Sequence, residues 1–274
     1  MSRLIPRLCL WLSLAALSPT LFAKPLIFAA PPRESAAAGE KLYGPLAAEL
    51  GKLVGEKVVY EHPANWPRYA EEMRQGRYSF VFDGPHFAAW RMVHLHQVPL
   101  VRLPGTLRFV VVVPTQSKIE NLQALKFSRV CAIPSPNLTS VMLLARFGPV
   151  ASPTIWPSMG GNGKTYQRLK AGKCDAAVLR DQFFSKKLSA EQRKGLRVVF
   201  TSDPYPNQTL TVSSQLSVEV RQRIINALTS GDGAEAVAPI LKRFGDPGAT
   251  TMVAASAVAY RGDNKLLEGH LWGW

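Results

Sequence analysis

Short apolar runs alternate with amphipathic stretches from residue 24 onward. Leu26–Ala30 reads as a strand, followed by a loop over Pro31–Ala38. Between about Gly39 and Val54, Leu42, Leu46, Leu50 and Leu53 recur at helical spacing and define one apolar face. Lys57–Glu61 reads as a second strand, Trp66–Gln75 as a helix closed by Gly76, and Ser79–Phe82 as a third strand running into Asp83-Gly84-Pro85. Phe87–His94 is helical. This βαβαβ rhythm predicts a mainly parallel sheet with helices on both faces.

Two extended runs follow, near Gln97–Arg102 and Leu107–Pro114, and a second α/β unit begins after them. Its elements are a short helix or turn at Ile119–Leu125, a strand at Arg129–Ile133, a helix at Leu138–Phe147, a strand at Thr154–Pro157, a helix at Tyr166–Ala171 and a strand at Asp175–Leu179. Arg197–Ser202 and Thr209–Ser213 are extended again. Helical stretches at Val218–Ser230, Ala234–Phe244 and roughly Val253–Leu267 close the chain. The arrangement predicts two α/β lobes. One is built from residues 24–108 plus 207–274 and the other from 109–206. The crossings fall at Leu107–Pro114 and Thr201–Leu210, where Pro204 and Pro206 suit a stiff extended connection.

Residues 1–23 stand apart from this pattern. Arg3 and Arg7 precede the short apolar run Leu8–Leu17, and Leu21-Phe22-Ala23 offers a small residue before Lys24. That is the form of a cleaved secretory signal, and it predicts a soluble chain exported to the periplasm. The 274-residue sequence carries 33 Lys and Arg against 19 Asp and Glu; without Arg3 and Arg7 the balance is 31 against 19, or +12. Such a field draws anions at long range. The basic residues are scattered, as in Lys41, Arg68, Lys118 and Arg221, and no basic–aromatic strip marks a nucleic-acid surface. Cys131 and Cys174 both fall in apolar runs. In an oxidising compartment they are either a disulfide between neighbouring strands or two buried thiols, and no Cys/His spacing suggests a metal.

Several segments in order resemble one family. Lys41-Leu42-Tyr43-Gly44-Pro45-Leu46 leads into the first long helix. After it come the Gln75-Gly76 helix end, Phe80-Val81-Phe82 and Asp83-Gly84-Pro85. Further along are Ser117-Lys118-Ile119, Asn121-Leu122-Gln123-Ala124-Leu125, Gly160-Gly161, Gly172-Lys173-Cys174-Asp175-Ala176-Ala177-Val178 and Pro204-Tyr205-Pro206-Asn207. Each is weak alone. Together they resemble the phosphate/phosphite/phosphonate-type periplasmic substrate-binding proteins of ABC transporters. The resemblance spans nearly the whole chain after residue 23. It implies a type II periplasmic-binding fold that holds a small anion between its lobes. It also implies a monomer without cofactor, partnered by a membrane permease or a membrane sensor, and not an enzyme.

The candidate ligand residues follow from helix starts and strand ends. Ser135-Pro136-Asn137-Leu138-Thr139-Ser140 follows a strand and opens a helix, where free N–H groups and the helix dipole attract anions. Ser135, Asn137, Thr139 and Ser140 are its donors, and the same residues would serve as ordinary N-caps. Asp83, Gly84 and His86 lie at the end of a strand expected to be parallel, where α/β sheets bind ligands. An equally economical account is a tight turn with Pro85 at the first helical position. In the resembling family an aromatic at the position of Tyr43 can line the cleft, and a tyrosine packed on the lobe surface is an equal account of it. Asn162, after Gly160-Gly161, stands where relatives often carry His. Binders of aminoalkyl phosphonates need a carboxylate for the ligand ammonium. Asp181, after the Asp175–Leu179 strand, is the candidate for it, although Asn207 near the second crossing does not favour a ligand with a strong positive group. The loop Gly160-Gly161-Asn162-Gly163-Lys164-Thr165 lacks the glycine a nucleotide loop requires, because that position is Ser158. No GxSxG or HExxH occurs, and Asp83 with His86 is an acid/base pair without a marked nucleophile.

Overall fold

The computed structural model describes residues 24–148 and 150–268. The expected signal segment, residues 1–23, lies outside them. The elements run in the order β1 (Leu26–Ala29), α1 (Ala36–Val54), β2 (Val58–Glu61), α2 (Trp66–Arg74), β3 (Phe80–Asp83), α3 (Pro85–His94), β4 (Val98–Arg102), β5 (Thr106–Leu107) and β6 (Phe109–Pro114). Then come β7 (Arg129–Ala132), α4 (Leu138–Leu144), β8 (Thr154–Pro157), α5 (Gly161–Lys170), β9 (Ala176–Arg180), α6 (Ala190–Lys194), β10 (Leu196–Thr201), β11 (Tyr205–Pro206), β12 (Thr209–Val212), α7 (Val218–Thr229), α8 (Ala234–Phe244) and β13 (Val253–Ala254).

Two sheets take eleven of these strands, one in each lobe. The first has six strands in the order β13-β4-β12-β3-β1-β2. Its core is the apolar face foreseen on α1: Leu42, Leu46 and Leu50 pack with Phe28, Phe80 and Phe82 and with Ile224, Val237 and Ile240 of α7 and α8. The Ser35 side chain accepts from the Ala38 N–H to start α1, and Gly55 ends it at φ 81°, a left-handed conformation that glycine adopts freely. The second sheet has five strands in the order β10-β6-β9-β7-β8. Its core joins Val111, Val113, Val130 and Val178 with Val141 and Leu143 of α4. Between the sheets, β5 and β11 pair antiparallel, Tyr205 with Leu107 and Pro206 with Thr106. This is the two-lobed type II periplasmic-binding architecture.

The structure corrects several expectations. The first sheet is mixed rather than mainly parallel: β1 pairs parallel with β2 and β3, while β12 runs antiparallel to both β3 and β4. β12, in the middle of the sheet, and β13, at one edge, come from the returning chain, whose direction the local βαβ rhythm could not reveal. The run Leu107–Pro114 is two strands, β5 pairing with β11 and β6 joining the second sheet. The helix expected at Tyr166 begins at Gly161, because three glycines conceal its first turn. The last helix, expected over Val253–Leu267, is absent. Val253–Ala254 instead adds an edge strand to β4, and two 3-10 turns follow at Ala257–Tyr260 and Asp263–Leu266, separated by Gly262 at φ 90°. A π-helical turn at Phe183–Lys187 and the short α6 lie between β9 and β10, where the sequence shows no clear period.

Cys131 on β7 and Cys174, just before β9, form a disulfide. β7 and β9 are parallel neighbours, which brings the two Cα atoms to 5.7 Å. Of the two readings the sequence left open, the structure takes the bridge.

Candidate interlobe binding site

The C-terminal ends of the parallel strands converge on the gap between the sheets, as the general rule for α/β sheets requires. β3 ends at Asp83 and passes through Gly84 into α3. β7 leads into α4, β8 into α5, and β9 ends at Arg180. A cavity of about 360 Å³ opens there, lined from one side by Arg33, Trp66, His86 and Gln208 and from the other by Phe109, Asn137, Thr139, Asn162 and Arg180. That volume lies at the small end of ligand sites. A larger and more open groove of about 710 Å³ runs past α8 and residues 245–250 and meets this cavity at Gly245.

The cavity carries three guanidinium groups. Arg33 donates from Nη1 to Gln208 Oε1 at 2.8 Å. Arg243 donates from Nε to Glu34 at 2.9 Å and lies over the Phe244 ring. Arg180 is different: its Nε and Nη2 are buried and no acceptor among the described residues meets them. Burial pushes its pKa down from the usual arginine value, with Asp246 and Asp181 acting in the opposite sense. No carboxylate is among the residues lining the cavity. A cation in such a place, with two buried nitrogens that no acceptor among the described residues meets, is suited to an anion from outside the fold.

His86 joins the two sides. Its ring is 2 % exposed, and Nε2 lies 2.9 Å from the carbonyl oxygen of Pro136, in the loop before α4. A carbonyl only accepts, so Nε2 carries the hydrogen. Burial pushes the imidazole pKa down to about 4, outweighing the pull of the Pro136 carbonyl and Asp83 towards the charged form. The ring is therefore neutral at physiological pH, and Nδ1 presents a bare lone pair with no donor among the described residues. The Ser135–Pro136 peptide in this loop is cis.

Gly84, His86, Asn137, Thr139 and Asn162, all singled out in the sequence, come together around the cavity. Their side chains are more occupied than expected. Asn137 Oδ1 accepts from the Thr139 N–H at 3.1 Å, capping α4. The hydroxyls of Thr139 and Ser140 both donate to the Ile133 carbonyl, at 3.1 and 2.5 Å. Asn162 Oδ1 accepts from the Arg180 N–H at 2.9 Å and so ties the start of α5 to the end of β9. No side chain caps α3 or α5, which leaves their first N–H groups without that partner.

Five candidates do not line this cavity. Asp83 is fully buried, in a two-pronged ion pair with Arg91 at 2.6 and 2.8 Å, and also accepts from the Tyr69 hydroxyl. Tyr43 is buried in the first core, its ring 5.2 Å from that of Tyr60. Ser140 points to the backbone, as described. Ser135 is exposed. Asp181 accepts from the Gln182 N–H at 2.6 Å, one residue past the strand end that does face the cavity.

Sequence reasoning missed Arg33, Arg180, Gln208 and Arg243. Arg180 had a readable signal. It closes an apolar run expected to be a parallel strand, and the end of such a strand faces the cleft. Successive residues of a strand point to opposite faces, so selecting Asp181 in place of Arg180 chose the wrong side. Nothing local marks the other three, which are brought in by the loop after β1 and by the returning chain.

A family model for the phosphonate ABC transporter periplasmic substrate-binding protein matches residues 28–260. The chain belongs to this family. It is a periplasmic substrate-binding protein of an ABC transporter, and the family implies a small ligand and a membrane permease as partner. Similar solved structures include XAC2383 from Xanthomonas citri bound to chloride ion, at 16 % identity and TM-score 0.66, covering 88 % of this chain and 95 % of that one. PhnD1 from Prochlorococcus marinus in complex with methylphosphonate shares 14 % identity at TM-score 0.63, covering 89 % and 97 %. A binding protein component of an ABC phosphonate transporter from Pseudomonas aeruginosa shares 14 % at TM-score 0.55, covering 85 % and 82 %. At these identities the likeness shows the fold. No curated protein sequence matches the chain.

Proposed function

We propose that the interlobe cavity captures a small oxyanion, phosphonate- or phosphate-like, and presents it to the permease. The observation that carries this reading is Arg180, a buried guanidinium without an acceptor in a cavity that no carboxylate lines. Arg180 supplies charge, and the uncapped starts of α3 and α5 supply N–H donors for anionic oxygens. The start of α3 sits on the side of the first sheet, and Arg180 and the start of α5 on the side of the second. Binding therefore favours closure of residues 24–108 and 207–268 against 109–206 about the β5–β11 connection. The aromatic groups Trp66, Phe109 and Phe244 give the anion's substituent an apolar wall.

The absence of a lining carboxylate argues against an aminoalkyl ligand, whose ammonium would face three arginines. Methylphosphonate, held by the fold neighbour PhnD1, is the natural first compound to test. Native mass spectrometry of periplasmic protein and a thermal-shift series of phosphonates, phosphate, phosphite, sulfate and carboxylates identify the class. The expected result is a stabilising shift with a tetrahedral oxyanion. Arg180→Met is expected to reduce its affinity at least about thirtyfold by calorimetry, or about 2 kcal/mol. Wild-type affinity in that variant would remove the cavity from the proposal.

A further inference from the structure

We propose that His86 makes the cleft selective for an oxyanion that still carries a proton, so that an acidic P–OH is recognised over a fully ionised sulfonate or sulfate of the same shape and charge. The inference rests on the oxyanion reading above and adds to it a requirement on the ligand's protonation state.

The geometry fixes the histidine's role. Its Nε2–H is committed to the Pro136 carbonyl at 2.9 Å, which leaves Nδ1 as an acceptor only. That nitrogen is buried and receives no hydrogen bond from any described residue. The side chain is 2 % exposed and lines the cavity, as does Gly84 beside it. A Cβ added at Gly84 would stand 3.2 Å from Nδ1 and 3.0 Å from Cε1, so a side chain there would press against this edge of the ring.

A buried acceptor without a donor is costly, and a bound molecule that supplies the donor recovers that cost. An oxyanion oxygen brought against the same lone pair is repelled if it is bare and held if it carries hydrogen. The three arginines on the cavity wall cannot make this distinction. Arg33, Arg180 and Arg243 only donate, and they attract any anion. A ligand ammonium would also satisfy Nδ1, but it would do so beside these three cations. An O–H on an otherwise anionic group meets both demands at once. A phosphonate monoanion has this form and a sulfonate does not.

The test compares methylphosphonate with methanesulfonate by calorimetry at about pH 6, where both are monoanions of similar size. The wild type is expected to bind methylphosphonate at least about tenfold tighter. His86→Gln places its amide near Nε2, able to keep the Pro136 bond, and removes the Nδ1 acceptor; its preference should fall to within about threefold. His86→Asn places its amide near Nδ1 and should keep the preference at weaker overall affinity. Thermal melts establish that each variant is folded, and if the Gln variant is not, the Asn variant decides. Equal binding of the two anions by the wild type, an undiminished preference in His86→Gln, or a preference lost in His86→Asn overturns the inference and leaves the oxyanion reading standing. Failure of both anions to bind at millimolar concentration removes this inference and the oxyanion reading alike.

Discussion

Arg91 and Arg180 place the same charged group in two different circumstances. The Arg91 guanidinium, 1 % exposed, grips both oxygens of Asp83 and reaches Gln97 and Thr211 as well. Arg180 ends a strand at the cleft and finds no such set of acceptors. A buried cation is tolerable when its counter-charge and acceptors are close at hand. Arg91 meets that condition from within the fold, which makes it part of the first lobe's architecture. Arg180 does not, which reserves it for something that arrives. The contrast also explains the position of Asp83. As a carboxylate at the end of a parallel strand it resembles a ligand residue, but its charge is spent holding α2, α3 and β3 together through Tyr69 and Arg91.

The largest effect that can break this comparison is on stability. Asp83→Ala strands Arg91 in the core and is expected to cost about 3–5 kcal/mol, the usual penalty for unpairing a buried ion pair. Urea unfolding measures it. The same assay on Arg180→Met should show less than about 1 kcal/mol of loss, since no partner is abandoned. If the two variants lost equal stability, Arg180 would have to be counted as structural.

The sequence makes the framework legible because burial on a helix or strand leaves a period. The leucines of α1 and the valine run of β6 announce their elements directly. What it conceals is which charges are buried. Arg91 sits within an ordinary helix of mixed composition and Arg180 follows four apolar residues. Both could be surface groups until the sheets assemble. Gly84, His86, Asn137, Thr139 and Asn162 were found because strand ends and helix starts are local features. Arg33 and Gln208 meet only across 175 positions of sequence, which no local pattern encodes. The C-terminal strand and 3-10 turns were read as helix for a related reason: edge pairing with β4 is a tertiary contact that overrides local preference.

A smaller effect sharpens the cleft side of the comparison. Thr139 and Ser140 hold the Ile133 carbonyl, and through it the loop that carries Pro136 to His86. Thr139→Ala with Ser140→Ala is expected to weaken oxyanion binding about tenfold, near 1.4 kcal/mol, by loosening that loop. Calorimetry reads the change, and unchanged affinity would mean that the loop holds its place without the two hydroxyls.

The smallest expected effect concerns a third way to accommodate a buried charge. Asp263, in the last 3-10 turn, has a buried Oδ2 with no hydrogen-bond partner among the described residues, and burial raises its pKa from 3.8 to about 7. An acid can answer isolation by keeping its proton; an arginine cannot, because its pKa starts too high. The sign follows from proton binding. Between about pH 4 and pH 7 the folded state holds this proton and the unfolded state does not. Stability is therefore lost as pH rises through that window, and the cost is complete above it. Allowing for partial exposure, the contribution is on the order of 1 kcal/mol. Asp263→Asn removes the ionisation, so its urea midpoint should match the wild type near pH 4 and exceed it near pH 8. A wild type as stable as the variant at the higher pH would mean that Asp263 is solvated rather than isolated. Arg180 would then be the clearer case of a buried charge whose partner must come from outside the chain.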